Sequence, residues 1–137
     1  MRTNVSNILV IGSGGAGLRA AIAAHQKGAE VDILGKRLRK DAHTILTAGR
    51  INAAWATIDK EDTWQQHFAD TLKEGYYLGD PLALEILTRE APELILELDQ
   101  WGYAYNRTPS GLLDQGFFGA NKYRRTCYPE IIQAGRS

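Results

Sequence analysis

The feature that most constrains this chain is a glycine cluster set between two short apolar runs. Residues 7–36 read NILVIGSGGAGLRAAIAAHQKGAEVDILGK. The run at 7–11, apolar from Ile8 to Ile11, has the character of a strand buried on both faces of a parallel sheet. Residues 16–27 read as a helix whose Leu18, Ala20, Ala21, Ile22, Ala23 and Ala24 give a small-residue surface able to lie close to a sheet. Gly28 is a suitable stop for that helix, and residues 30–34 form a second strand. Strand, turn, helix and strand make a βαβ unit of about thirty residues, whose crossover should be right-handed.

Gly12, Gly14 and Gly17 spell G-x-G-x-x-G at the first strand-to-helix turn. In such a turn the first glycine permits the tight bend, the second lets the backbone approach a pyrophosphate, and the third lets helix and strand pack closely. Free N–H groups at the helix start then face an anion. Gly12, Ser13, Gly14, Gly15, Ala16 and Gly17 are therefore the candidate cofactor-binding residues of the turn. A ribose-binding acid is expected at the end of the second strand, but the sequence there is Leu34-Gly35-Lys36, and Asp32 lies inside the strand. Ribose contacts then fall to backbone groups, such as those at Gly35, or to Lys36. This argues against a standard NAD site and leaves FAD or a variant site.

The rest of the chain is expected to be a basic, irregular loop with a small-residue stretch (37–56), a helical segment (62–102), and a hairpin with a loop (103–137). Asp62 and Gln65 suit a capping box, and Trp64, Phe68 and Leu72 mark one face of the helix that Gly75 ends. Asp80-Pro81 opens a second helix with proline at its first position. Leu84, Leu87, Ala91, Leu94, Ile95 and Leu98 are its candidate inward residues, and Pro92 should break or kink it, or start a new helix. Pro109-Ser110-Gly111 is the hairpin turn. His25 and His67 are expected on solvent-facing helix positions, Glu61, Asp62 and Asp70 as helix-start and surface charges, Arg124-Arg125 in a solvated turn, and Cys127 as a buried, inert thiol. No linker divides the chain.

With 137 residues, the chain has the size of one small domain. Sixteen basic residues balance sixteen acidic ones, which gives no electrostatic footprint for nucleic acid. No apolar run approaches the ~20 residues of a membrane-spanning helix, so no direct membrane insertion is expected. The polar first residues lack the apolar core of a signal peptide. A single cysteine excludes an internal disulfide and gives no metal cluster, which fits a reducing, cytoplasmic location.

Several blocks together resemble the amino-terminal region of the flavoprotein subunit of the succinate dehydrogenase and fumarate reductase family: VIGSGGAGLRAAIAA, AHTILTAGRINAA, DTWQQHFADTLKEGYYLGDP, TREAPELILELDQWG and FFGANKYRRTC. The resemblance runs from about Asn7 to Cys127. It implies an α/β fold, the amino-terminal portion of a Rossmann-like FAD-binding domain. It also implies FAD bonded covalently to His43 in the A-H-T motif, with Thr44, Thr47 and Gly49 at the cofactor. On the residues alone, His43 beside Asp41 is an ordinary loop histidine. L-aspartate oxidases resemble the same region but usually lack that histidine.

The family's A-G-G motif, which lies against flavin and dicarboxylate, reads Ala48-Gly49-Arg50 here. Arg50 replaces a glycine, and whether it crowds the flavin or swings outward is left open. Phe118 and Gly119 resemble the F-G-G segment of the dicarboxylate pocket, with Ala120 in place of the last glycine; on the residues alone, Phe117 and Phe118 are ordinary core. The candidate substrate residues are thus Gly49, Phe118 and Gly119.

The reaction implied is hydride transfer between flavin and a C4 dicarboxylate, interconverting succinate and fumarate. Electrons would pass to an iron–sulfur partner of the flavoprotein, at the inner face of a membrane. The family's catalytic arginine lies beyond this length, so no catalytic residue and no metal ligand is assigned. The chain is expected to be an inactive fragment of a longer flavoprotein, with a small core and exposed apolar patches. The alternatives are an L-aspartate oxidase or related FAD dehydrogenase, a non-catalytic FAD-binding fragment, and a non-functional remnant.

Overall fold

The structure is a computed structural model that describes residues 5–36, 44 and 50–129. The chain divides into two compact units, Met1–Gly49 and Arg50–Ser137.

The first unit carries strand β1 (Ile8–Ile11), helix α1 (Gly15–Gln26) and strand β2 (Val31–Leu34). β1 and β2 pair in parallel, with Ile8 opposite Val31 and Ile11 opposite Leu34. The Asn7 side chain fixes the base of this pair by accepting from the Glu30 amide at 2.9 Å. Gly28, at φ +86°, turns the chain out of α1, a conformation glycine adopts without steric cost. Ala21 is the buried residue of α1, consistent with a helix that approaches its strands through small side chains. The strands are not sealed on both faces: Leu9, Ile11 and Leu34 are all more than half exposed. Among the described residues of this unit, β1, β2 and α1 leave these branched side chains uncovered.

The second unit carries β3 (Ile51–Asn52), α2 (Trp64–Glu74), α3 (Pro81–Gln100) and β4 (Thr126–Cys127). β3 and β4 are antiparallel, with Ile51 opposite Cys127, and Gly116 bridges Thr126 from another segment. Ala53, Ala91, Ile95, Tyr105, Leu113 and Cys127 form the core, with Trp55 and Leu98 packed against it. The hairpin expected around Pro109-Ser110-Gly111 is present, closed by an antiparallel bridge between Arg107 and Leu113. Buried Gln115 ties it inward: Nε2 donates to the Ala53 carbonyl at 2.8 Å, and Oε1 accepts from the Thr57 amide at 3.0 Å.

Tertiary packing overrides several local expectations. α3 is one helix from Pro81 to Gln100 with Pro92 inside it. Proline removes one amide donor, but Ala91 and Ile95 on either side are buried in the core, and that packing holds the two halves together. The buried stripe of α3 is Thr88, Ala91 and Ile95, whereas Leu87 and Leu94 are exposed. Thr88 can be buried because its hydroxyl donates back to the Leu84 carbonyl at 2.9 Å. The cap of α2 is Thr63, which accepts from the Gln66 amide, rather than Asp62.

Asp62 is buried for a different reason. The Arg125 guanidinium, fully buried, donates to Asp62 through Nη2 at 2.8 Å and Nε at 3.2 Å, and pairs with Asp70 at 2.9 Å. Asp62 is thus no surface charge and Arg125 no part of a solvated turn. Burial pushes the Asp62 carboxyl above its usual range, while Arg125 pulls it back. His67 is likewise 3% exposed rather than solvent-facing. Burial, reinforced by the Arg125 charge, pushes its imidazole down to about 4, so it is neutral in the folded protein. Cys127 is fully buried, and burial pushes its thiol up to about 11.

Two measurements check this packing. Ile95→Ala should lower stability in urea by about 2–5 kcal/mol, the usual cost of an Ile-sized core cavity. The unfolded chain protonates His67 near pH 6.5 and the folded chain only near 4, so the unfolded state binds more protons between those values and stability falls as pH drops through that window. His67→Leu should flatten this limb. Parallel wild-type and variant pH curves would contradict a buried neutral imidazole.

Candidate functional site

The glycine turn follows directly from the strand pairing before it. The Gly12 amide donates to the Leu34 carbonyl at 2.8 Å, which ends the parallel ladder. Gly12 then adopts φ +123°, a backbone region that side chains resist, and a Cβ built there meets nothing within 4 Å. The space beside this peptide is open. Gly17 is constrained in the opposite way: a Cβ on it would lie 1.9 Å from the Gly12 carbonyl oxygen. The first helical turn therefore rests against the backbone of the bend, and only glycine allows that approach.

Gly14 is the N-cap of α1 and has no side chain to satisfy the first amides. The missing acceptor comes from Thr44, twenty-nine residues away, whose Oγ1 accepts from the Gly15 amide at 3.0 Å. A Cβ on Gly15 would approach the Thr44 side chain at 3.2 Å, so Gly15 is small because Thr44 sits there. A hydroxyl oxygen over the start of a helix occupies the kind of position that suits a phosphate oxygen. Thr44 is where sequence resemblance puts a cofactor residue, but its contact with the glycine turn has no local signature. Gly12, Ser13, Gly14, Gly15, Ala16 and Gly17 thus come together at one turn with Thr44. Gly35 and Lys36 follow β2, whose last residue, Leu34, accepts the Gly12 amide. His43, Thr47 and Gly49 lie outside the described residues.

In the second unit, Phe118 and Gly119 lie on the loop that leaves the Gly116–Thr126 bridge. Gly119 turns the loop at φ +68°, and Asn121 Nδ2 donates to the Phe118 carbonyl at 2.6 Å. The loop is tied down beyond this point because the Lys122 amide donates to Asp70 at 3.0 Å, the same carboxylate that pairs with Arg125. Phe117 and Phe118 are both more than half exposed, so neither is core. Phe118 and Gly119 border an open cavity of about 440 Å³ that Asn52, Thr71, Gly75 and Asn121 also line. The Arg50 guanidinium carbon lies 4.9 Å from the Phe118 ring centroid, a stacking contact that sequence reasoning did not identify. Among the described residues no cluster of three His, Cys, Asp or Glu side chains could hold a metal ion. No helix among them is long and apolar enough to cross a membrane.

Comparison with known proteins identifies the family and the fold. Residues 7–135 match the family described as "FAD binding domain". The chain is 44% identical over 123 residues to a subunit of the fumarate reductase (CoM/CoB) of Methanothermobacter marburgensis, covering 89% of this chain and 22% of that protein. It is 39% identical over 111 residues to the mitochondrial succinate dehydrogenase [ubiquinone] flavoprotein subunit of Oryza sativa subsp. japonica, covering 81% of this chain and 18% of that protein. Among solved structures, Mycobacterium smegmatis Sdh1 superimposes with a TM-score of 0.88 at 36% identity, over 94% of this chain and 22% of the other. The chain spans about a fifth of the length of these relatives.

Gly17→Ala should abolish saturable quenching of FAD fluorescence, because the added methyl cannot coexist with the Gly12 carbonyl. Thr44→Val should leave the far-UV circular dichroism unchanged and weaken FAD binding by about 10- to 150-fold, the range of one lost hydrogen bond at a charged group. Unchanged FAD affinity in both variants would remove the glycine turn from the site.

Proposed function

This chain belongs to the FAD binding domain family, and from that premise we propose that it is the FAD-holding part of a flavoprotein that interconverts succinate and fumarate. The observation that carries the reading is the turn between β1 and α1. Its open bend at Gly12 and its obligatory contact at Gly17 let the backbone come close to a pyrophosphate, although the Gly12 amide is already given to Leu34 and the Gly15 amide to Thr44. Gly12, Ser13, Gly14, Gly15, Ala16 and Gly17 would hold the phosphates, with the Thr44 hydroxyl beside them. Gly35 and Lys36 would serve the ribose in place of the absent acid. His43 is the proposed point of covalent attachment, and Thr47 and Gly49 would lie at the flavin.

The flavin, when bound, supplies the acceptor or donor of a hydride. This chain's own part is to fix the cofactor's phosphates and, through Gly49, Phe118 and Gly119, to border the C4 dicarboxylate. No residue of the chain is assigned a proton-transfer role. One relative is named as part of a fumarate reductase and another as a succinate dehydrogenase flavoprotein, and these names support this substrate class. Both names are those of subunits, and the reading includes an iron–sulfur partner that receives the electrons and a cytoplasmic place at the inner face of a membrane.

The covalent bond has a direct test. After acid precipitation of the flavin-loaded protein, flavin fluorescence should remain in the washed pellet, and His43→Ser should move it to the supernatant while FAD still binds before denaturation. A wild-type pellet without flavin sinks the covalent claim and leaves non-covalent FAD binding in place.

A further inference from the structure

Arg50 differs from the other arginines whose partners define the second unit. Arg89 pairs with Glu85, Arg107 with Asp99, Arg124 with Asp59, and Arg125 with Asp62 and Asp70. No carboxylate of the described residues pairs with Arg50. Its guanidinium instead rests over the Phe118 ring at 4.9 Å, within the range of a cation–π contact. Arg124 makes a longer contact of the same kind with Phe117, at 6.0 Å, but Asp59 already holds its guanidinium.

A guanidinium laid against an aromatic ring presents its N–H donors from its edge, in a fork that matches a carboxylate. The ring restricts the side chain's rotamers, so less freedom is lost when an anion arrives. Both partners are reachable from solvent: Arg50 is exposed, and Phe118 is 52% exposed. The Phe118 backbone is in turn held by Asn121 and by the anchored start of the loop at Gly116. Arg50 is thus a braced cation, without an acidic partner among the described residues, beside the residue already proposed to border the dicarboxylate.

We propose that Arg50 is a substrate-binding and specificity-determining residue: braced on Phe118, it takes one carboxylate group of the dicarboxylate in a forked pair. The inference rests on the functional reading above and adds a residue to its substrate site. It also makes the chain selective for dianions, because a monocarboxylate that uses its only charge at Arg50 has nothing left for a second contact.

The test is calorimetric titration of the chain with malonate, an unreactive dicarboxylate, and with acetate, alongside FAD titration by fluorescence. Arg50→Gly should raise the Kd for malonate about tenfold or more, as expected for loss of a charge-assisted forked pair. Arg50→Lys should recover part of that loss, and Phe118→Leu, which removes the ring and keeps the arginine, should fall between. Acetate should bind far more weakly than malonate. Circular dichroism should be unchanged in every variant, since Arg50 and Phe118 are exposed. No malonate binding by the wild type, or the same malonate Kd in Arg50→Gly, overturns the proposal. If FAD binds while malonate affinity ignores Arg50, this inference alone falls. If the wild type does not take up FAD, the functional reading itself falls.

Discussion

The second unit depends on the charge on Arg125. Its guanidinium is fully buried and is met by two carboxylates, Asp62 just before α2 and Asp70 within it. Its carbonyl accepts the Ala53 amide and so holds the segment after β3. Asp70 reaches further, accepting from Gln66 Nε2 and from the Lys122 amide, which anchors the loop carrying Phe118. Arg125, through its side chain and its carbonyl, and its partner Asp70 together join a helix, its entry, a strand extension and a loop. A buried ion pair adds little net stability over well-packed apolar groups, but removing one partner strands the other and costs about 3–5 kcal/mol. This makes the network a fixing device more than a source of stability: it forces the four segments into one arrangement. Burial keeps His67 neutral, and the charge on Arg125 reinforces this.

The first unit is organised by a backbone constraint. β1 and β2 give the turn a fixed origin, because the Gly12 amide is bonded to Leu34. Gly17 brings α1 down onto the bend, and Thr44 supplies the acceptor that the glycine cap lacks. The same absence of side chains that lets the helix pack there leaves room for an anion. In the proposed function, structure and cofactor binding therefore depend on the same turn.

Much of this was legible in the residues. The βαβ unit, the bend at Gly12, the close packing at Gly17, the Asp80-Pro81 helix start, the hairpin at Pro109-Ser110-Gly111 and the buried Cys127 all follow from local rules: steric limits on φ, capping chemistry and the run of apolar residues. The errors also have physical causes. Asp62 has the form of a helix cap, but its carboxylate is taken by an arginine sixty-three residues away, so the cap passes to Thr63. Thr88 replaces Leu87 in the buried stripe because a back-bonded hydroxyl can be buried without an unmet donor. Pro92 sits inside α3 because the core holds both sides of it. At the candidate site, the grouping of Gly12 to Gly17 at one strand-to-helix turn follows from spacing alone. The Thr44 cap and the Arg50–Phe118 stack could not, since each joins residues far apart in the sequence.

The sequence by itself determined what depends on neighbours along the chain: a parallel βαβ unit, a turn that only glycine can make, and membership of a flavin-binding family carried by several blocks in order. The tertiary structure alone decided which charges are buried, which face of α3 is core, what caps α1 and what lies on Phe118. The reason is the range of the forces involved. Steric limits on φ and the capping of a helix act over a few residues and leave a pattern in the text. Desolvation of an arginine, or the stacking of a guanidinium on a ring, depends on which distant segments the fold brings within a few ångströms.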